Sequence, residues 1–304
     1  MSIANFLELV EIKAKTASVF PFLLGSLYAW YHYHQLHLFE LVIFFIAMLL
    51  YNMAVDANDN YQDYHRATKT EALRYREATN IIGREHISPR LVGWLIVIMV
   101  VVSAGLGLWM VARTGWPLLP LGLFCFLVGY TYAGGPRPIS TTPFGEFFSG
   151  FTMGYVIWLI AVYVNVYDTV GMTWGLAGMV FVASGLAQCA IAALLLANNI
   201  ADEAEDKALN RRTIVYYLGR QRSLAFFKGL YLTGYVALLI AVVNGWLPKL
   251  ALLSLVTVIP VAKNVGAFAA QPVKAKTFIL AVKNLFFITA ALVVSVGLGV
   301  WLNI

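Results

Sequence analysis

Apolar residues run along the chain in blocks of about 20, separated by short polar stretches, and the blocks recur from one end to the other. A helix of that length rises about 30 Å, enough to cross the hydrocarbon core of a bilayer. The pattern therefore predicts an all-α membrane protein. Nine spans are expected, over residues 16–36, 39–60, 91–112, 117–133, 145–166, 173–200, 224–244, 247–263 and 278–302. Their recurrence separates them from a single cleavable N-terminal leader. Composition agrees, because 61% of the 304 residues are hydrophobic and only 12% are charged, about half the charged fraction of a soluble domain.

Charge adds an orientation. An alternating path through nine spans places 19 of the 21 Lys and Arg residues on one side, Arg113 and Lys249 being the exceptions. Short loops rich in Lys and Arg stay in the cytoplasm, so the N-terminus is expected there. The formal charge of +6 then reads as a one-sided belt against anionic membrane lipid, and no nucleic-acid partner is expected. Cys125 and Cys189 both lie inside apolar blocks, which leaves neither a disulfide framework nor a cysteine metal pattern.

Acidic residues are less easily explained by topology. Seven of the 15 crowd into two stretches, NMAVDANDNYQDY at 52–64 and NNIADEAED at 198–206. At about 100° per residue, Asn52, Asp56, Asp59 and Asp63 share one helical face, as do Asn198, Asp202 and Asp206. Columns of like charge at i, i+4 destabilise a helix unless water or a cation neutralises them. Solvated acidic helix ends are one reading. The other is a cation site, favoured because each stretch continues an apolar span without a break, where ionisable groups are costly and usually functional, and because each is followed by a segment with six basic residues. Hard oxygen ligands beside Lys and Arg suit magnesium bridging a phosphorylated substrate.

The stretches lie 146 positions apart, each closing the second helix of a four-helix group. That spacing suggests one domain over 1–304 built as a pseudo-repeat, 16–133 and 145–263, plus a last helix at 278–302. The two motifs would then flank a central cavity open to the cytoplasmic face.

Three stretches carry a family resemblance. NNIADEAEDKALNRRTIVYYLG at 198–219 follows the pattern NNxxDxxxDxxxGKxTxxxxLG, YAGGPRPISTTPFGE at 132–146 carries YxGGPxP followed by GE, and NDNYQDY at 58–64 is NDYxDY with one residue added. On these the chain resembles the intramembrane aromatic prenyltransferases of the UbiA superfamily, and within them the branch that prenylates dihydroxynaphthoate for menaquinone. Departures are Val55, where an Asn is expected in DxxDxxxD, and Asn210, where Gly is frequent. Asn tolerates the same left-handed backbone.

The resemblance implies a magnesium-dependent transferase that moves a polyprenyl group from polyprenyl diphosphate to an aromatic acceptor. It implies one Mg2+ on Asn52, Asp56, Asp59 and Asp63 and a second on Asn198, Asp202 and Asp206. Asp59, Asp63, Asp202, Asp206 and Arg137 would be catalytic. Lys69, Arg211, Arg212, Tyr132, Asn199 and Tyr155 would bind substrate, with Tyr130, Tyr132, Tyr155 and Trp158 as aromatic walls able to shield an allylic cation. Glu146 opens a helix, where a carboxylate also stabilises the N-terminus. Residues 68–88 read as a lid, and His32, His34 and His37 as interfacial residues on the outer side. Two alternatives remain at this point. The same chemistry could serve 4-hydroxybenzoate, homogentisate or haem, or the carboxylates could line the path of a divalent-cation transporter. A bacterial plasma membrane is the expected location.

Overall fold

A computed structural model describes residues 1–66, 77–208 and 210–303. Every extended regular element among them is helical. Six helices are long and apolar enough to cross a membrane: Leu38–Arg66, Pro89–Thr114, Gly145–Val166, Ile214–Val243, Lys249–Ala270 and Phe278–Leu302. The pair Trp174–Ala183 and Gly185–Ala201, bent by 57°, makes a seventh if taken as one span. The expected span at 16–36 is the helix Thr16–Tyr33, which contains Pro21 and carries several polar side chains. That at 117–133 is the 16-residue helix Leu118–Ala133.

The chain divides into two compact units, Met1–Thr16 with Val42–Pro138, and Ala17–Leu41 with Ile139–Ile304. In the first, the Leu38–Arg66 helix has 29 residues and so extends about 43 Å, well past a hydrocarbon core of about 30 Å. Its C-terminal turns carry the first acidic stretch. Ala54 and Ala57 are buried in a core with Leu9, Val10, Ile81, Ile82, Ile87, Val92 and Met99. The acidic stripe lies roughly 150° round the helix from those alanines, so apolar packing on one face leaves the carboxylates together on the other.

The short helices Ile3–Leu9 and Ile81–Arg84 supply part of that core. Asn80 is buried; its Oδ1 caps Ile82 N at 3.0 Å and its Nδ2 donates to Asn60 O at 2.9 Å. Asn60 Nδ2 in turn donates to Leu9 O at 3.3 Å. Arg84 pairs with Glu8 at 2.7 Å. Of the expected lid, residues 68–76 lie outside the described residues. The part from 80 to 88 is bound down by these contacts, because Ile81, Ile82 and Ile87 have apolar partners to bury against.

In the second unit, close helix approach depends on small residues. A Cβ on Gly25 would lie 2.6 Å from Trp158 O, and one on Gly154 would lie 2.6 Å from Gln188 Cα. The expected straight span 173–200 bends at Ser184, and polar side chains satisfy the backbone there. Gln188 Nε2 donates to Phe181 O at 2.7 Å and Ser184 Oγ donates to Val180 O at 2.7 Å. Gly150–Val156 forms a π-helical turn within the Gly145–Val166 span, and Gly219, at φ 71°, kinks the Ile214–Val243 helix.

Candidate active site

The second acidic stretch begins on the helix Gly185–Ala201, where Asn198 is one turn from the end and Asp202 caps it at φ −95° and ψ 11°. A new helix, Glu203–Ala208, starts immediately. The single straight helix expected from the periodicity is thus broken at Asp202. The stripe survives because Asp206 N still donates to Asp202 O at 2.8 Å. Asn198 Nδ2 donates to Asp202 Oδ2 at 3.1 Å, which turns the Asn198 carbonyl and the Asp202 carboxylate to one point. Lys274 Nζ occupies that point: it donates to Asn198 Oδ1 and lies 2.5 Å from Asp202 Oδ2.

Asp206 is 5% exposed. Its Oδ1 is 3.4 Å from Arg211 Nε, and its buried Oδ2 has no hydrogen-bond partner. Burial pushes this carboxyl up to about 6, against the pull of Arg211; Asp202 and Glu205 add repulsion and Lys274 subtracts some of it. Asn210, at φ 57°, provides the left-handed residue that closes the helix, letting Arg211 N donate back to Asp206 O at 2.8 Å. Arg212 N donates to Thr141 O at 3.0 Å, and its guanidinium lies 5.7 Å from the Tyr216 ring centroid.

Asn199 turns the other way. It is buried, and its Nδ2 donates to Glu146 Oε1 at 2.8 Å. Glu146 is itself 3% exposed, and its Oε2 has no hydrogen-bond partner. Asn199 therefore ties the second motif to the start of the Gly145–Val166 helix.

In the first unit, Asn52, Asp56, Asp59 and Asp63 all lie half-buried on the unbroken Leu38–Arg66 helix. Lys15 Nζ pairs with Asp56 Oδ2 and donates to Asn52 O at 3.3 Å. Arg66 Nη2 donates to Ala133 O at 2.8 Å, beside Tyr132. Arg137 is exposed in the turn after Gly135, a residue at φ 80°. Lys69 lies outside the described residues.

The other expected aromatic walls differ in exposure. Tyr155 is buried and its hydroxyl donates to Ala177 O at 3.2 Å; its ring packs on Phe151 and Phe181. Trp158 is fully buried, edge-on to Tyr28, and Tyr130 is 65% exposed. His37 N donates to Asn165 Oδ1 at 2.7 Å and its ring is 3.3 Å from Asp168.

Among the described residues no three Asp, Glu, His or Cys side chains form a ready metal cage. The donor sets nevertheless fit a hard cation. An ammonium already stands on Asn198 and Asp202, a second stands on Asp56, and Asp206 keeps a buried oxygen without a hydrogen-bond partner. Oxygen donors of this kind are those magnesium takes. Sequence reasoning missed the two lysines and the Glu146 to Asn199 bond. The only signal for them was the excess of acids in the motifs, which requires cations without saying which.

These features define an integral membrane protein of helices with an oxygen-rich acidic stretch, paired with a lysine, in each unit. The chain belongs to the UbiA prenyltransferase family, which it matches over residues 18–289. It is 29% identical over 241 residues to the 1,4-dihydroxy-2-naphthoate octaprenyltransferase of Bacillus subtilis, covering 78% of this chain and 73% of that one. Its fold is similar to the apo structure of a UbiA homologue from Aeropyrum pernix, with a TM-score of 0.70, 17% identity and coverage of 95% and 98%. It is also similar to a UbiA homologue from Archaeoglobus fulgidus bound to GPP and Mg2+, with a TM-score of 0.58, 13% identity and coverage of 98% and 99%.

Proposed function

We propose that this chain transfers a polyprenyl group from polyprenyl diphosphate to 1,4-dihydroxy-2-naphthoate, giving demethylmenaquinone in its reduced, quinol form with release of diphosphate and carbon dioxide. The observation that carries the reading is the convergence of Asn198, Asp202 and Asp206 as oxygen donors with cations already on them, in a chain similar to a naphthoate octaprenyltransferase. Asn198, Asp202 and Asp206 would hold one Mg2+, and Asn52, Asp56, Asp59 and Asp63 another. When bound, the metal neutralises the donor's diphosphate so that the allylic carbon–oxygen bond can break.

The chain's own residues do the rest. Asn199 and Glu146 fix the helix end that presents the second motif. Arg211 is held against Asp206 with its side chain 30% exposed and would meet the departing pyrophosphate, and Arg212, next to it in sequence, and Arg137 would add charge. Lys69 would bind the same diphosphate. The acceptor's ring carbon would then attack the allylic carbon, with Tyr132 and Tyr155 as aromatic residues able to shield the cation.

Nine spans in a bacterial plasma membrane, with the N-terminus and both motifs cytoplasmic, complete the proposal. The motifs read as copies of one repeated element. Their position at helix ends beside basic segments suits a polyanionic substrate better than an ion path at the bilayer midplane.

The test is incorporation of radiolabelled dihydroxynaphthoate into lipid by purified protein with polyprenyl diphosphate, with Mg2+ and with chelator, for wild type and Asp202→Asn. Magnesium-dependent product lost in the variant supports the reading. Product only with 4-hydroxybenzoate, homogentisate or haem moves the acceptor, and no product with any acceptor or donor length overturns prenyl transfer.

A further inference from the structure

Two lysines answer the two acidic motifs, and their surroundings differ. Lys15 is 3% exposed and is held between Asp56 and the backbone oxygen of Asn52, so it is a fixed part of its unit. Lys274 is 46% exposed and belongs to the turn between Lys249–Ala270 and Phe278–Leu302. The backbone of that turn is fixed: Val273 N donates to Thr277 Oγ1 at 2.9 Å, and Thr277 Oγ1 donates to Gln271 O at 2.6 Å. The Lys274 side chain is a flexible four-carbon stem with one point charge, and it reaches out of a rigid base.

Its ammonium stands on Asn198 Oδ1 and Asp202 Oδ2, both ligands in the function proposed above, on which this inference rests. Magnesium binds oxygen at about 2.0–2.1 Å and demands near-octahedral order around itself. An ammonium and a divalent ion cannot share the same two oxygens at hydrogen-bond range, since like charges at that distance repel strongly. One must leave. Lys274 has solvent on one side, and the Phe278 ring, 4.9 Å from its Nζ, gives the ammonium a second foothold by cation–π attraction.

We propose that Lys274 is a tethered counter-ion: it neutralises and orients the second motif while metal is absent and swings out when Mg2+ loads. In this role it is a positioning residue that sets how tightly the motif takes metal. Without it, Asp202 and Asp206 would share Arg211 as their remaining cation and the helix end would be less ordered. With it, every metal ion that binds must displace an ion pair.

The experiment measures amine labelling and Mg2+ affinity on the full-length protein in detergent. Wild type is treated with an amine-acylating reagent with and without Mg2+, and labelling at Lys274 and Lys276 is read by mass spectrometry. Lys276 is exposed in the same turn and serves as the internal control. Mg2+ should raise labelling of Lys274 several-fold and leave Lys276 unchanged. By calorimetry with Mg2+ alone, Lys274→Met should bind about two- to fivefold tighter than wild type, the range expected for releasing a half-exposed ion pair, and tighter than Lys276→Met, which removes the same charge without the contact. Lys274→Arg should lie near wild type.

Equal labelling with and without Mg2+, or a Lys274→Met affinity no tighter than that of Lys276→Met, overturns the proposal. If wild type gives no Mg2+ binding at all, the metal reading falls with it. If Mg2+ binds and Lys274 does not respond, the metal reading stands and only the counter-ion role fails. The labelling arm needs no variant, so the outcome does not depend on how Lys274→Met folds.

Discussion

Replacing Asn199 by Ala removes the amide that donates to buried Glu146 at 2.8 Å. Glu146 is 3% exposed and its Oε2 has no hydrogen-bond partner, so the loss leaves a carboxyl group in a dry site with little left to bond. An unsatisfied buried polar group costs about 1–3 kcal/mol, more if charged. We expect Asn199→Ala to destabilise the protein by about 2–3 kcal/mol in unfolding from mixed micelles. The same physics makes the double variant informative. Glu146→Leu with Asn199→Leu removes both partners and keeps most of the volume, which is nearly neutral for a buried hydrogen bond. The double variant should therefore be more stable than Asn199→Ala by at least about 1 kcal/mol, with a clear coupling energy in the cycle. Activity should separate from stability, because the anchor for the second motif is gone in both. Loss of a residue that orients a metal ligand costs about 10- to 100-fold, so both variants should turn over that much more slowly. Additive stability losses in the cycle would refute the argument, as would wild-type turnover in Asn199→Ala.

Lys15→Met should lower stability in chelator by about 3 kcal/mol, because it strips the cation from half-buried Asp56, and added Mg2+ should restore part of the loss; unfolding with and without Mg2+ checks both. Gly154→Ala places a Cβ 2.6 Å from the backbone of Gln188, which cannot yield as a side-chain tip would, and about 1–3 kcal/mol of overpacking follows, visible as a lower unfolding midpoint. The Asp206 carboxyl, held up at about 6 chiefly by burial, can serve the proposed metal only when ionised. Acidification must then weaken Mg2+ binding, by about fourfold at pH 5.5 relative to pH 7.5 if this one proton competes, and Asp206→Asn should flatten that dependence; calorimetry at the two pH values decides it.

Local signals in the sequence carried well where the cause is local. Apolar blocks gave helices close to their observed limits, as in 278–302 against Phe278–Leu302. The stripe of Asn52, Asp56, Asp59 and Asp63 is continuous because its helix is unbroken, and Asn210 adopts the left-handed backbone that its substitution for Gly requires. The bend at Ser184 was not legible, because a Ser-Gly pair in an apolar run is compatible with a straight helix until Gln188 folds back onto the freed carbonyl. The lysines were hidden for a different reason. Lys13, Lys15, Lys274 and Lys276 look alike in a charge count, all four belonging to the expected basic belt. Only tertiary placement distinguishes Lys15, buried on Asp56 across 41 positions, from Lys274, exposed on Asp202 across 72. A column of carboxylates on one helical face is unstable by itself, so a chain that carries two such columns must neutralise them even without metal. The structure does so with its own ammonium groups, and an oxygen set that already holds a cation in place is one whose geometry would be largely made before the proposed metal binds.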